Sequence, residues 1–513
     1  MQDSIPLLKV NQWLSSWGLQ ANNTGLGEAP KYFYIASMSL AQLRILSGVQ
    51  KRTKEVRKKT SKEAGFQREL DTSRTRTIAR YIKYGYPVSS DPKLIVNDSN
   101  GKLIHPGWLP TPILINVLVK GDERWVGSEK IKIKEENLLG IHKGVDGNDS
   151  LIIPDNFELS ADLSEIQVKP IEIIDGQHRV FAIDEIEDFT SDYQVPVVIF
   201  VGLSQSWQAY LFWVINVEPK RINPSLAYDL YPELRSEEWL ENKEGGRIYR
   251  DHRAQELTDI MWRHPESPWR DRIELFGSRV EGHISNAAFI RSLAGSFLKN
   301  AINKKNLGGL FSSIVLSSGK YVVSWKRAQQ AAFLIQCWKK IETCASKLSD
   351  AENTKYQISE LVNDRRRGEE RDLPALLASP VSLLSTDQGV HAIHNIFNIF
   401  CIKKWEELDF SSWEIKEQVS APDEFNIELA IKSLEKNDKI DSFLMELADS
   451  LVNLFDWRTS GALNLTEEER KQKAAYRGGS GYTLLKNDVI GKLKNSKYKS
   501  VSQVANEISN RVI

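Results

Sequence analysis

The sequence predicts an α+β N-terminal half, a mixed sheet with helices, followed by a mainly α-helical C-terminal half. Three observations carry this. Up to about residue 235, short runs rich in Val and Ile alternate with Gly, Asn, Asp and Pro turn signals. Beyond residue 236, apolar residues recur at helical spacing over long stretches. Within the first half, the polar run Asp175-Gly176-Gln177-His178-Arg179 lies between two apolar runs, at an expected strand-to-helix turn.

Residues 1–32 read as an N-terminal extension, with a short helix from Asn11 to Leu19 and a turn-rich link from Asn22 to Gly27. Residues 33–235 read as the first domain. Tyr32 to Ala36 suits a strand, and Ser39 to Leu46 a helix with Ser39 as its cap. Ile78, Tyr81 and Ile82 then mark a helix face. The polar stretch from Ser89 to Pro110 precedes a strand at 113–118. Short strands with Gly/Asp/Asn turns follow over 119–170, then a strand end at 171–174, a strand at 195–201 and a helix at 206–216. Residues 236–513 read as a helical region. Its helical patterns are Gln255 to Trp262, Ile284 to Leu298, Trp325 to Leu348, Val390 to Trp405 and Ile427 to Leu454. Trp325, Phe333, Cys337 and Ile341 share one stripe, which reads as core. Asp364 to Arg371 reads as a charged linker, and no repeat of fixed period is evident.

Composition narrows the class. The 513 residues suit two to four domains, with 41% apolar and 27% charged residues, as in a soluble globular protein. No run approaches the roughly 20 apolar residues of a membrane span. The first residues lack a signal-peptide pattern. Three cysteines with no Cys-x-x-Cys pair argue for a reducing cytoplasm and against structural zinc. The formal net charge is zero, which weighs against strong non-specific nucleic-acid binding. Charge is uneven, however. Residues 51–83 are rich in Lys and Arg, among them Lys54, Arg57, Lys58, Lys59, Arg74 and Arg76. Such a stripe suits either DNA phosphates or a solvated helix face with ion pairs.

The 175–179 turn is the main candidate site. Backbone N–H groups at a strand-to-helix turn favour an anion, and Gly176 lets the backbone approach a ligand closely. Arg179 could grip a phosphate bidentately. The plainer reading makes Asp175 a helix cap, with His178 and Arg179 paired to nearby carboxylates.

The run Asp175 to Arg179 resembles the signature of the DGQHR-domain family, which includes the DndB-like proteins. It is more distantly similar to the phosphate-binding turn of the ParB/sulfiredoxin-like fold. The Val195-Pro196-Val197 strand, the helix from Trp207, Ile215-Asn216, Lys220-Arg221 and Asn223-Pro224 follow in the order seen there. Upstream, Gln67-Arg68 resembles the family's Gln-Arg element. The resemblance covers about 33–235, and Phe455 to Arg458 and Tyr476 to Tyr482 resemble the tail of longer relatives. It implies a phosphate- or nucleotide-binding pocket of Gly176, Gln177, His178, Arg179, Gln67, Arg68 and Asn216. Sulfiredoxin chemistry needs a cysteine at the turn, and Cys337, Cys344 and Cys401 all lie far along the chain.

The resemblance implies a DndB-like DNA-binding regulatory or accessory protein of a bacterial DNA-modification or phage-defence system. Modification proteins would be its partners, with an oligomer allowed. The alternative is a magnesium-dependent nucleoside triphosphatase in the same pocket. It would use Asp175, His178 and Arg179 as catalytic candidates, with Glu172, Asp184 and Glu185 nearby as further carboxylates. A third reading makes the turn purely structural. Elsewhere, His391 and His394 lie close enough on a helix to share a metal, but local hydrogen bonding or packing explains them better. The Gly-rich 476–482 segment lacks a P-loop ending and reads as a flexible loop, flanked by Arg477 and Lys486.

Overall fold

The computed structural model describes residues 3–17, 30–49, 70–90, 105–126, 129–144, 147–154, 168–187, 189, 192–216, 225, 228, 231–234, 240, 247–274, 283–299, 308–312, 323, 325–356, 373–413 and 422–510. The chain divides into two compact units, Met1–Arg221 and Ile222–Ile513. The first mixes strands with helices and the second is mainly helical, as the sequence predicts.

The strands of the first unit are β1 (Asp3–Asn11), β2 (Tyr32–Ser39), β3 (Ser47–Gly48), β4 (Ile113–Val117), β5 (Glu123–Val126), β6 (Glu129–Lys132), β7 (Gly140–His142), β8 (Asp149–Ile153), β9 (Ile171–Asp175) and β10 (Gln194–Val201). Eight form one mixed sheet in the order β3-β9-β4-β10-β2-β1-β8-β7, and β5 and β6 pair separately. β4 and β10 run parallel at its centre, and β9 lies antiparallel beside β4. Among the described residues four helices accompany the sheet: α1 (Leu40–Leu46), α2 (Thr72–Tyr84), α3 (Gln177–Val180) and α4 (Gln205–Asn216).

Alternation sets the two faces. Tyr34, Ala36 and Met38 of β2, and Val195, Val197 and Ile199 of β10, point into one core with Leu40 and Leu43 of α1 and Val180 of α3. The opposite face, with Ile174 and Phe200, takes Trp207, Leu211 and Phe212 of α4. Burying one such side chain contributes about 1.5–3 kcal/mol, so both layers hold their helices by apolar area.

Three expectations for the first 50 residues meet the structure differently. The strand and helix read at 32–46 are present as β2 and α1. The segment read as a peripheral extension instead supplies β1, which pairs with both β2 and β8. Ile5 and Leu7 do alternate inward, but Pro6 between them masks the strand signal. The helix expected from Asn11 to Leu19 is reduced, among the described residues, to a single 3-10 turn at Ser15–Trp17.

The second unit contains α5 (Arg247–Arg263), α6 (Asn286–Gly295), α7 (Arg327–Ala345), α8 (Asp387–Lys403), α9 (Glu424–Glu435), α10 (Asp438–Leu454), α11 (Glu467–Ala474), α12 (Gly479–Leu493) and α13 (Lys499–Ser509). α7 is the central helix, packed against α9 and α10. Trp325, Phe333, Cys337 and Ile341 are all buried, as a core stripe requires. The pattern read as one helix from Ile427 to Leu454 is two. Asn437 breaks it by capping α10, its side chain accepting from the Ile440 N–H at 3.3 Å. The helix expected from Ile284 starts later, because Ile284–Ser285 (β12) pairs with Ile273–Glu274 (β11) and Ser285 caps α6. No helix among the described residues is long and apolar enough to cross a membrane.

Candidate functional site

β9 ends in the signature turn. Its pairing with β4 is irregular between Leu114 and Ile115, so that Asp175 lies opposite Leu114 and Ile173 opposite Ile115. Such a bulge re-aims a strand-end side chain. Gly176 follows at φ +103°, a conformation that favours glycine. A β-carbon there would sit 3.0 Å from Arg179 Nη2 and 3.2 Å from Ile113. The Gly176 carbonyl accepts from the N–H groups of Arg179 (2.9 Å) and Val180 (3.1 Å), closing the single turn of α3.

Gly176, not Asp175, thus occupies the cap position. Asp175 turns instead to Arg179 and Asn216. One carboxylate oxygen accepts from Arg179 Nη2 at 3.0 Å, the other from Asn216 Nδ2 at 3.3 Å. Arg179 Nη1 donates to the Thr111 carbonyl, in the segment leading into β4. This cluster ties together β9, the start of β4 and the end of α4. Arg179 and Asp175 side chains are 15% and 23% exposed, so their pair is only partly screened by water. Gln177 is buried.

His178 faces α2. Asp71 caps that helix, its Oδ1 accepting from Ser73 N–H (3.0 Å) and Arg74 N–H (3.2 Å). The Asp71 N–H in turn donates to His178 Nε2 at 3.2 Å. With Nε2 accepting, the imidazole proton sits on Nδ1. Burial, then the nearby Arg74 charge, push the His178 pKa below its ordinary value, against Asp71 and Asp175. The ring is therefore neutral at pH 7. Arg74 also acts on Arg179, so three basic side chains converge here. Arg74 is exposed and has no carboxylate partner among the described residues. Arg76 is two-thirds exposed and pairs with Glu185 at 3.1 Å. Gln67, Arg68, Lys54, Arg57, Lys58 and Lys59 lie outside the described residues.

Sequence reasoning missed a second polar cluster below the turn. Glu172 of β9 is buried and bridged by Arg124 of β5, with Arg124 Nη2 at 2.7 Å. Gln208 of α4 donates to the same carboxylate at 2.9 Å, and Asn116 of β4 at 3.4 Å. Asn116 Oδ1 also accepts from the Leu203 N–H at 2.8 Å. This network seats the start of α4, whose end brings Asn216 to Asp175. Its signal was available: a carboxylate in the otherwise apolar run of β9 needs a buried partner.

The other carboxylates weighed as metal ligands are engaged too. Asp184 pairs with Arg44 at 2.8 Å, and Glu185 with Arg76. Among the described residues no three His, Cys, Asp or Glu side chains gather as a metal site.

In the second unit, the histidine pair has a structural account. His394 is buried, with Nε2 accepting from Trp338 Nε1–H at 3.0 Å and Nδ1 2.7 Å from Ser292 Oγ. Both ring nitrogens are therefore occupied. Burial pushes its pKa down to about 3. The 476–482 segment is ordered by contacts rather than a free loop. Tyr476 and Tyr482 hydroxyls donate to Asp488 (2.8 Å) and Asp387 (2.7 Å). Gly478 has φ +84° where α12 begins, and a β-carbon at Gly481 would sit 2.0 Å from the Tyr476 carbonyl oxygen.

No curated protein and no solved structure matches the chain. Residues 27–237 match the model of the DndB family, described as DNA-sulfur modification-associated. The match takes in the strand, turn and helix that carry Asp175, Arg179, Arg74 and Asn216, and over this region the chain is DndB-like.

Proposed function

We propose that the N-terminal unit is a DNA-binding regulatory or accessory component of a DNA-sulfur modification system. The start of α2 and the signature turn would form its phosphate-contacting surface. The observation that carries this reading is Arg74. It is an exposed guanidinium beside His178 and Arg179, without a carboxylate partner among the described residues. A phosphate oxygen supplies the acceptor that such a group lacks. The Nδ1–H of His178 offers a second donor. Arg179 serves differently, as the brace that holds Asp175, Thr111 and the turn together.

The test is equilibrium binding of duplex DNA, with and without phosphorothioate linkages, over a salt series. Wild type is compared with Arg74→Ala. Loss of one phosphate contact lowers affinity at every sequence and reduces the salt slope by about one. Equal affinity and slope in the two proteins would remove Arg74 from the interface.

A nucleotide at the same surface would use the same donors, and ATP, CTP and GTP with magnesium are the matching probes. The triphosphatase alternative has less support, because Asp175 already accepts from Arg179 and Asn216. It predicts magnesium-dependent phosphate release that Asp175→Asn abolishes.

A further inference from the structure

The segment leading into β4, residues 105–111, carries Trp108, which is 70% exposed, more than any other aromatic side chain among the described residues. The segment is nonetheless held at both ends. His105 exchanges both backbone bonds with Tyr86, at 2.7 and 2.8 Å, just past the end of α2. The Thr111 carbonyl accepts from Arg179 Nη1 at the signature turn. Between these points, the Pro106 carbonyl accepts from the Tyr81 hydroxyl of α2 at 3.4 Å and from the Trp108 N–H at 2.9 Å. The Gly107 carbonyl accepts from the Tyr193 hydroxyl. Gly107 lies so close to α2 that a β-carbon there would stand 1.9 Å from the Tyr81 carbonyl oxygen. Leu109 packs against the first core. The backbone on both sides of Trp108 is therefore fixed, while its ring stands in water. A large ring presented from a fixed backbone binds with little further ordering of the chain.

The helix that holds this segment is basic. α2 carries Arg74, Arg76, Arg80 and Lys83, and no acid from Thr72 to Tyr84. Asp71, just before it, is occupied as the cap. Arg76 pairs with Glu185, whereas Arg74, Arg80 and Lys83 have no carboxylate partner among the described residues. Arg74 and Tyr81 stand two helical turns apart and so share one side of α2. Tyr81 is the residue that holds Pro106 and Gly107. Along α2 the Trp108 segment thus meets the helix about 10 Å from Arg74. That is about three base steps of a stacked strand. An apolar ring framed by cations suits a polyanion that also presents flat aromatic faces, and nucleic acid combines the two.

We propose that Trp108 stacks on a nucleobase while the basic side chains of α2 follow the phosphates of the same strand. This rests on the DNA-binding reading above and adds to it a contact with a base. Stacking needs only the flat face that every base offers, so the contact tolerates any sequence. The base is either unpaired or exposed at an opened step of a duplex. The stacking chemistry is the same in both, and the experiment separates them.

The test titrates the full chain, by fluorescence anisotropy over a salt series, with a short thymidine strand, an abasic strand of the same length and a short duplex. Wild type is compared with Trp108→Ala, Trp108→Phe and Arg74→Ala. Trp17→Ala serves as a control at another exposed tryptophan of the same unit. The expected result is that Trp108→Ala weakens binding of a base-bearing probe about tenfold, as for one lost stacking contact, with an unchanged salt slope because no charge is removed. Trp108→Phe restores most of that loss, Trp17→Ala has little effect, and wild type and Trp108→Ala hold the abasic strand equally. Loss on the thymidine strand alone identifies an unpaired base, and loss on the duplex identifies an opened base step. Equal binding of both base-bearing probes by wild type and Trp108→Ala, with Arg74→Ala still weaker, would overturn the stacking contact alone. An equal loss on the abasic strand would overturn it too, since no base is there to be touched. No binding of strand or duplex by wild type at low salt would overturn the DNA-binding reading and this inference together.

Discussion

The signature turn and the packing of α8 against α6 and α12 each gather acids, bases and ring side chains, and dispose them differently. At the turn, Asp175 accepts from Arg179 and Asn216, the Thr111 carbonyl accepts from Arg179 again, and the Asp71 N–H donates to His178 Nε2. Where α8 meets α6 and α12, Asp387 accepts from the Tyr482 hydroxyl and pairs with Arg291. The dense motif is thus a brace, and Arg74 beside it is exposed, with no carboxylate partner among the described residues. A residue's prominence in a motif and its availability to a ligand are separate properties, and hydrogen-bond accounting tells them apart.

Mutations can break this contrast, the largest effect first. Gly176→Ala should destabilise the first unit by about 2–4 kcal/mol, because a left-handed backbone and a contact with Arg179 and Ile113 act together. Chemical denaturation measures it, and a change within a few tenths would mean that the turn relaxes freely. Arg179→Ala should cost about 2 kcal/mol, since it leaves a partly buried carboxylate and the Thr111 carbonyl without their donor. It should reduce ligand binding only in proportion to unfolding. A fully stable Arg179→Ala protein that no longer binds would reverse the assignment and make Arg179 the contact.

A pH series sharpens the comparison in the second unit. His394 is held neutral, with its pKa pushed down to about 3 by burial. An unfolded histidine titrates near about 6.5, so below that pH the unfolded chain takes up a proton that the folded chain refuses. The stability from the Ser292–His394–Trp338 bonds is complete above that value and falls as the pH drops toward 3. The unfolding free energy of wild type should therefore fall more steeply over that window than that of His394→Gln. Parallel curves would show that His394 protonates without unfolding.

Much of the fold was legible. β2, β4, β9, β10, α1 and α4 follow from alternation, helical spacing and turn residues. β1 was hidden by Pro6, which removes an N–H yet is tolerated opposite Ser150. The split at Asn437 was hidden because the apolar spacing of α9 and α10 runs on across it. Of the candidate site, the turn and its approach by Asn216 were readable as residues, but not what each would touch. The pairing of Asp71 with His178 joins positions 107 residues apart, and that of Arg124 with Glu172 joins positions 48 apart. Only the folded sheet brings such partners together. Hence the sequence marked Arg179 as a ligand contact without showing that it also braces the turn, or that Arg74 has no carboxylate partner among the described residues.

The smallest expected stability change carries the most information. Arg74→Ala removes an exposed side chain and should alter stability by no more than about 0.5 kcal/mol. The most direct test of the account is the salt dependence of duplex DNA binding by wild type and Arg74→Ala, measured on proteins with matching melting curves. The account predicts weaker binding by Arg74→Ala and a salt slope smaller by about one. Identical affinities and slopes, or no DNA binding by wild type at low salt, would contradict it.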